Sequence, residues 1–207
     1  MSTDLRKNPY IAREYWPARL KKEGALYVST RNSKTVNDHQ WEVFRDSLRQ
    51  AMEGTDPGRI IDFGCGVGRF AAAAREFASS YVGVDINSGA FEHAPDLPNV
   101  EFVGLPEDRI PFEDNSFDSA MALTVLQHIV DPEHYVIWSS EIARVVKPGG
   151  LIYIIDDADQ SPKMGKHMKI RGPQVISESL GSVIDEDFGV ISAERPNSHY
   201  LFRSRKV

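Results

Sequence analysis

The glycine-rich run after the first predicted strand constrains the fold more than any other feature of this chain. It reads Ile60-Ile61-Asp62-Phe63-Gly64-Cys65-Gly66-Val67-Gly68, an apolar strand followed by three alternating glycines. Glycine lacks a Cβ and tolerates positive φ, so the backbone can turn sharply here and approach a ligand closely. The helix predicted from Arg69 to Ala78 directs free N–H groups and its positive dipole end to the same point. The run therefore predicts a ligand-binding turn between a strand and a helix.

From residue 59 onward, short apolar segments alternate with helical ones. The predicted strands are Arg59–Phe63, Tyr81–Asp85, Val100–Val103, Asp118–Leu123 and Leu151–Ile155. A further helix is predicted after Asp131, a good N-cap, with Pro132 at its first position; Lys147-Pro148-Gly149-Gly150 is expected to end it. Apolar strands separated by helices are typical of a parallel sheet covered on both faces.

The two ends of the chain differ from this middle part. Residues 1–58 are polar and predicted mostly helical, with Trp41, Phe44 and Leu48 spaced i, i+3, i+7. Near the other end, Asp187–Glu194 and His199–Arg205 are predicted to pair as an antiparallel hairpin joined by residues 195–198.

The length of 207 residues fits a single domain. We expect residues 1–58 to form a helical cap, residues 59–157 a ligand-binding core, and residues 158–207 a C-terminal helix and hairpin.

The spacing of the glycines disfavours a dinucleotide ligand. The dinucleotide fingerprint is G-x-G-x-x-G, whereas this chain places Arg69 at the third glycine position. Asp85 ends the next predicted strand, where a carboxylate can accept hydrogen bonds from both hydroxyls of an adenosine ribose. Such a bond to a charged group contributes roughly 1.5–3 kcal/mol. Asp62 is expected to face the cationic amino-acid end of the ligand.

Five motifs in order extend this pattern along residues 59–157. They are Ile61-Asp62-Phe63-Gly64-Cys65-Gly66-Val67-Gly68, Val82-Gly83-Val84-Asp85-Ile86, Ile110-Pro111-Phe112-Glu113-Asp114-Asn115-Ser116-Phe117-Asp118, Val125-Leu126-Gln127-His128-Ile129 and Arg144-Val145-Val146-Lys147-Pro148-Gly149-Gly150. With these motifs the sequence resembles the class I S-adenosylmethionine-dependent methyltransferases, particularly the subgroup with ubiquinone/menaquinone-type and sugar-type enzymes.

The resemblance implies a Rossmann-like α/β fold. Its sheet would have seven strands in the order 3-2-1-4-5-7-6, the last strand antiparallel, with helices on both faces. It also implies S-adenosylmethionine as cofactor. The implied contacts are the methionine end at Asp62, Gly64, Cys65, Gly66 and Gly68, the ribose at Asp85, the adenine at Ile86, Leu105, Pro106 and Glu107, and the sulfonium at Leu123 and Thr124. In relatives N-terminal helices form a lid, which adds Tyr15, Trp16 and Arg19 as candidate contacts.

Two site positions, Leu105 and His128, leave alternatives open. Many relatives place an aspartate where this chain has Leu105, so backbone groups or Glu107 would have to substitute at the adenine, or this contact is absent. His128 follows the fourth strand and is the candidate general base, the alternative being that it only packs or caps in its loop. The other histidines are expected at the surface, and no pair of them has metal-ligand spacing: His93, His134, His167 and His199.

Composition narrows the possible partners. A net charge of −6 argues against general nucleic-acid binding, and no apolar stretch is long enough to cross a membrane. With a single cysteine and no secretory signal, a cytoplasmic monomer or homodimer is expected. The favoured function is in-line methyl transfer to a small-molecule acceptor. The alternatives are a non-catalytic cofactor-binding protein and an RNA or protein methyltransferase.

Overall fold

A seven-stranded mixed sheet forms the centre of the molecule. The computed structural model describes residues 10–24, 34–157, 166–191 and 199–207. The strands are β1 Arg59–Phe63, β2 Ser80–Asp85, β3 Val100–Gly104, β4 Phe117–Leu123, β5 Val146–Asp157, β6 Ser182–Val190 and β7 His199–Lys206. Their order is β3-β2-β1-β4-β5-β7-β6; β1 to β5 pair in parallel, while β7 is antiparallel to both β5 and β6. This confirms the predicted fold and strand order.

Five α-helices lie in the described part of the chain. They are α1 Ala12–Glu23, α2 Lys34–Met52, α3 Ala71–Arg75, α4 Pro132–Val145 and α5 Pro173–Ser179. Asp131 caps α4 as predicted, because its carboxylate accepts the amide hydrogens of Glu133 and His134. None of these helices combines the length and the apolar character that a membrane span requires.

The core consists of two apolar clusters, one on each face of the sheet. Strand residues that alternate in sequence point to opposite faces: Ile61 belongs to the cluster that holds Trp138 and Ile142 of α4. Ile60 belongs to the other, which holds Phe44 and Leu48 of α2. The apolar residues predicted at helical spacing from Trp41 onward thus pack α2 against the sheet.

Several boundaries differ from the prediction. Helix α3 covers only Ala71–Arg75 because positive φ angles at Gly66 and Gly68 delay its start. Strand β5 begins at Val146, not Leu151, with a register irregularity opposite β4. Strand β6 runs from Ser182 to Val190, earlier than predicted, and the turn predicted at residues 195–198 lies outside the described residues. The division into cap, core and tail stays a prediction.

Candidate functional site

The glycine loop lies at the carboxyl end of β1, in the middle of the sheet. Gly64, Gly66 and Gly68 all have positive φ, at 75°, 55° and 70°. A Cβ on Gly64 would lie 2.2 Å from Cγ2 of Val125, so a side chain cannot fit between this loop and the segment after β4. A Cβ on Gly66 would meet no atom within 4 Å. The loop is therefore closed on one side and open on the other.

Asp85 ties the end of β2 to this loop. Its Oδ2 accepts the Gly66 amide hydrogen at 2.9 Å and its Oδ1 accepts that of Asn87 at 2.8 Å. Burial raises the pKa of the carboxyl, while these two backbone bonds and the charge of Arg13 act in the opposite direction. Each oxygen keeps a second lone pair, so the fixed carboxylate can accept further hydrogen bonds from a ligand.

Asp62 lies beneath the loop and is almost fully buried, with 1% of its surface exposed. The Tyr81 hydroxyl donates to its Oδ2 at 2.6 Å. Burial raises the pKa of Asp62 to about 7, opposed by this hydrogen bond and reinforced by the negative charge of Asp85. Cys65 is buried as well, and burial raises the pKa of its thiol, which disfavours a nucleophilic role.

The segment Leu105–Glu107 after β3, which we call the β3 rim, offers backbone carbonyl oxygens but few hydrogen-bond donors. The Leu105 side chain is buried in the core, and its amide hydrogen is donated to the Asp85 carbonyl oxygen at 2.9 Å. Pro106 has no amide hydrogen. Arg13 of α1 donates from Nη2 to the carbonyl oxygens of Leu105 and Pro106, at 3.1 and 2.5 Å. Glu107 is exposed at this rim.

The end of β4 carries a strained residue. Thr124 has φ 58°, a left-handed conformation that costs a β-branched residue free energy. Its amide hydrogen is donated to the Ile155 carbonyl oxygen at 2.6 Å, and the preceding Leu123 is buried. Such strain is concentrated at functional sites in proteins, where the surrounding structure holds it in place.

Five rings from three segments pack together near this strand end; we call them the aromatic cluster. They are Tyr10, Tyr15, Trp16, His128 and His167. Trp16 meets His128 edge to face at 4.8 Å between ring centroids, and Tyr15 stacks on His167 at 5.1 Å. The Trp16 indole donates to the Tyr10 hydroxyl at 3.1 Å. The cluster joins α1 to the loops after β4 and β5.

His128 is held as a neutral imidazole within this cluster. Its Nδ1 lies 3.0 Å from the His167 carbonyl oxygen, a group that can only accept, so Nδ1 carries the hydrogen and Nε2 keeps a lone pair. Burial lowers the pKa of His128 to about 3. Gln127 Nε2 lies 3.5 Å from His128 Nε2, the outer limit of a hydrogen bond.

A buried polar network beneath the cluster fixes the His128 loop. Arg171 donates to the carbonyl oxygens of Leu126 and Ile129, at 3.1 and 2.8 Å. The Gln127 amide hydrogen is donated to Asp156 at the end of β5, at 3.3 Å. Burial raises the pKa of Asp156 to about 8. The loop after β4 is therefore tied to β5 and to the segment before α5.

The structure brings most of the predicted site residues to one edge of the sheet. The glycine loop, Asp85, Ile86, the Leu105–Glu107 segment and Leu123–Thr124 follow neighbouring strand ends. Tyr15 and Trp16 reach the same edge from α1. Arg19 donates to the Tyr15 hydroxyl at 2.7 Å and forms an ion pair with Glu23 at 2.7 Å.

Sequence reasoning missed three participants and misplaced two histidines. Arg13, Tyr10 and His167 carry no sequence signal, because contacts between α1 and the distant loops create their positions. The surface prediction is wrong for His199, which is 7% exposed and packs on Phe44, and for His167, which is half-buried in the aromatic cluster. Within the described residues, His, Cys, Asp and Glu side chains form no group of three suited to a metal ion.

Comparisons with known proteins agree with this geometry. Residues 61–154 match the methyltransferase domain family. A demethylmenaquinone methyltransferase of Clavibacter sepedonicus is 29% identical over 161 residues, which cover 75% of this chain and 62% of the relative. A ubiquinone biosynthesis O-methyltransferase of Alkalilimnicola ehrlichii is 29% identical over 124 residues, 57% of this chain and 49% of the relative. The chain thus spans less than two thirds of either relative.

A solved structure extends the likeness to the fold. It comes from the complex between the Haloferax volcanii Trm112 methyltransferase activator and a methyltransferase; the TM-score is 0.68 at 19% identity, over 92% of this chain and 96% of that one. The matched family region runs from β1 to β5 and contains the glycine loop and Asp85. The resemblance to the class I S-adenosylmethionine-dependent methyltransferases therefore holds for the sequence over residues 61–154 and for the fold.

Proposed function

We propose that the chain transfers a methyl group from S-adenosylmethionine to a small-molecule acceptor. The observation that carries this proposal is the Asp85 carboxylate, which the Gly66 and Asn87 amides hold at the open side of the glycine loop. A carboxylate with spare lone pairs at this position suits the two hydroxyls of a ribose.

The strand order supports one direction for the cofactor along the sheet edge. Ligands in open α/β sheets lie beyond the carboxyl ends of the strands. With the ribose at β2, the base extends toward the β3 rim at Leu105, and the methionine end extends toward the glycine loop of β1. The sulfonium then faces the end of β4 at Leu123 and Thr124.

The acceptor is proposed to bind beyond β4, at the aromatic cluster. Planar rings and a neutral imidazole suit an uncharged or weakly polar molecule better than a highly charged polymer. The two relatives named for demethylmenaquinone and ubiquinone biosynthesis support a small-molecule acceptor. The net charge of −6 counts against RNA.

The chain's own residues align the reactants rather than supply reactive groups. When bound, S-adenosylmethionine supplies an already activated methyl group. Asp85 and the glycine loop orient it, and α1 with the aromatic cluster excludes water from the strand ends. His128 Nε2, with its lone pair, is the candidate proton acceptor when the acceptor atom must lose a proton. Because burial lowers the pKa of His128 to about 3, it would hold that atom by accepting its hydrogen bond and take the proton only as the methyl group is transferred.

Titration calorimetry with S-adenosylhomocysteine tests the cofactor assignment. Asp85→Ala should weaken binding by about tenfold or more, since hydrogen bonds to a charged group are lost. Asp96→Ala is the matched control, because it removes an exposed carboxylate that has no assigned role. Absence of binding by the wild type at millimolar ligand, or equal affinity in Asp85→Ala, contradicts the proposal.

Methyl transfer itself needs a separate measurement. Incubation with cofactor carrying a labelled methyl group and fractionated small-molecule extracts should label a compound of low mass. Cofactor binding without labelled product in any extract would favour the alternative of a non-catalytic binding protein. Label in RNA or protein alone would assign the macromolecular alternative.

A further inference from the structure

The adenosine end of the proposed site offers few groups that can bind the edge of a base. The Leu105 side chain is apolar and buried, its amide hydrogen is used by the Asp85 carbonyl, and Pro106 has no amide hydrogen. The backbone of these two residues therefore presents only carbonyl oxygens, which accept and cannot donate.

Arg13, which reaches this rim from α1, adds hydrogen-bond donors beside the carbonyl oxygens. It lies in the first turn of α1 and binds both carbonyl oxygens through a single nitrogen, Nη2. A guanidinium carries five N–H donors and no acceptor. Its charge also acts on Asp85, so Arg13 stands near both the proposed ribose carboxylate and the rim that would face the base.

We propose that Arg13 is a specificity-determining residue for the purine base, and that with it the site binds hypoxanthine about as well as adenine. This inference rests on the proposed function, because it concerns the base of the same cofactor. Adenine presents an amino donor at C6 and an acceptor at N1. Hypoxanthine presents the reverse, a carbonyl acceptor at C6 and an N–H donor at N1.

The reversed pattern explains why Arg13 decides between the two bases. A rim of carbonyl oxygens alone binds the amino group of adenine and repels the C6 oxygen of hypoxanthine. With Arg13 beside the carbonyl oxygens, the rim holds donors and acceptors together. The C6 oxygen then receives a charged donor, and the N1 hydrogen of hypoxanthine meets a carbonyl oxygen of Leu105 or Pro106.

Calorimetry with S-adenosylhomocysteine and S-inosylhomocysteine measures this preference directly. The wild type should bind the two ligands within about threefold of each other. Arg13→Ala should raise the ratio of the two dissociation constants by about tenfold, the worth of one hydrogen bond to a charged group. Lys21→Ala removes an exposed cation from the same helix and should leave the ratio unchanged.

The possible outcomes separate this inference from the proposed function. If the wild type binds neither ligand, the proposed function fails. If it binds S-adenosylhomocysteine but rejects the inosine analogue by about thirtyfold or more, the Arg13 inference fails and the cofactor assignment stands. If Arg13→Ala weakens the affinity for both ligands equally, Arg13 only anchors α1 and the inference about the base fails. An unchanged ratio of the dissociation constants in Arg13→Ala together with a tenfold change in Glu107→Gln would assign the base contact to Glu107 instead.

Discussion

The two halves of the site edge are built in different ways. The half at β1 and β2 is formed by one continuous stretch of about twenty-five residues, in which Asp85 binds the amide of Gly66 from the neighbouring strand. The half beyond β4 is assembled from α1, the loop at His128 and the segment at His167, which are distant in sequence. The first depends on backbone conformation and the second on side-chain packing, so substitutions should affect them differently.

The largest effect is expected in the first half, for Gly64→Ala. Any side chain at this φ costs about 1–2 kcal/mol. Here the new Cβ would also lie 2.2 Å from Val125, so the free energy of unfolding should fall by more than that amount. Urea denaturation measures it. The matched control is Gly66→Ala, where φ is also positive but nothing lies within 4 Å, and which should lose only the conformational cost. Equal losses in the two variants would contradict the contact.

A smaller effect is expected in the second half, for Trp16→Ala. Helix α1 has no fully buried residue, so its position depends on contacts such as that between Trp16 and His128. Aromatic pairs contribute about 0.5–1.5 kcal/mol beyond area burial, so trypsin cleavage after Lys21 should accelerate roughly two- to tenfold. Trp16→Phe keeps a ring and should stay close to the wild type. Unchanged cleavage in Trp16→Ala would show that the cluster does not hold the helix.

In the first half of the site, Asp62 should make the affinity for the cofactor moderately dependent on pH. With its pKa raised to about 7, part of Asp62 is protonated at neutral pH, and a cationic amino-acid end favours the ionised form. The affinity for S-adenosylhomocysteine should therefore fall by a few-fold between pH 8 and pH 6, with proton release measurable by calorimetry in buffers of different ionisation enthalpy.

Two variants sharpen that measurement. Asp62→Asn should abolish the proton release. Tyr81→Phe removes the hydrogen bond that opposes the effect of burial, so the pH dependence should move to higher pH. Proton release that persists in Asp62→Asn would assign it to another group.

The smallest effect is expected for His128 in the second half. Because burial lowers its pKa to about 3, its imidazole resonance in NMR should not titrate between pH 8 and pH 5. An unfolded histidine takes up a proton near pH 6.5, so His128 contributes stability above this pH that is lost as the pH falls toward 3. His128→Gln should show a shallower loss of stability over the same range. Titration of the native resonance near pH 6.5 would contradict the buried position.

The same contrast explains how much could be predicted from sequence. The glycine loop, Asp85 and the strand order were predictable because each depends on local patterns: alternating glycines, an acid after an apolar strand, and apolar segments separated by helices. The family fold then supplied the position of the final antiparallel strand. The cofactor contacts of these residues stay predictions.

The aromatic cluster could not be predicted, because it depends on contacts between distant segments and not on a local pattern. Tyr10 and His167 meet only after α1 has docked beside the strand ends, and no periodicity in the sequence records that contact. Arg13 is one of several basic residues in the polar N-terminal segment, and nothing in the sequence sets its role apart from that of Lys21 or Lys22. Leu105 marked the proposed adenine rim as unusual in the sequence, but only the structure placed Arg13 against it.

The position of β7 has a consequence for the order in which the chain assembles. Strand β7 follows β6 in sequence but lies between β6 and β5 in the sheet. A ribosome therefore releases β6 before the strand to which it must pair, and β5 has an open edge during that interval. Docking of β6 cannot precede docking of β7, so this part of the sheet folds after synthesis of both strands. A stalled chain that ends near residue 190 exposes the unpaired β6 together with the open edge of β5, whose other edge pairs with β4.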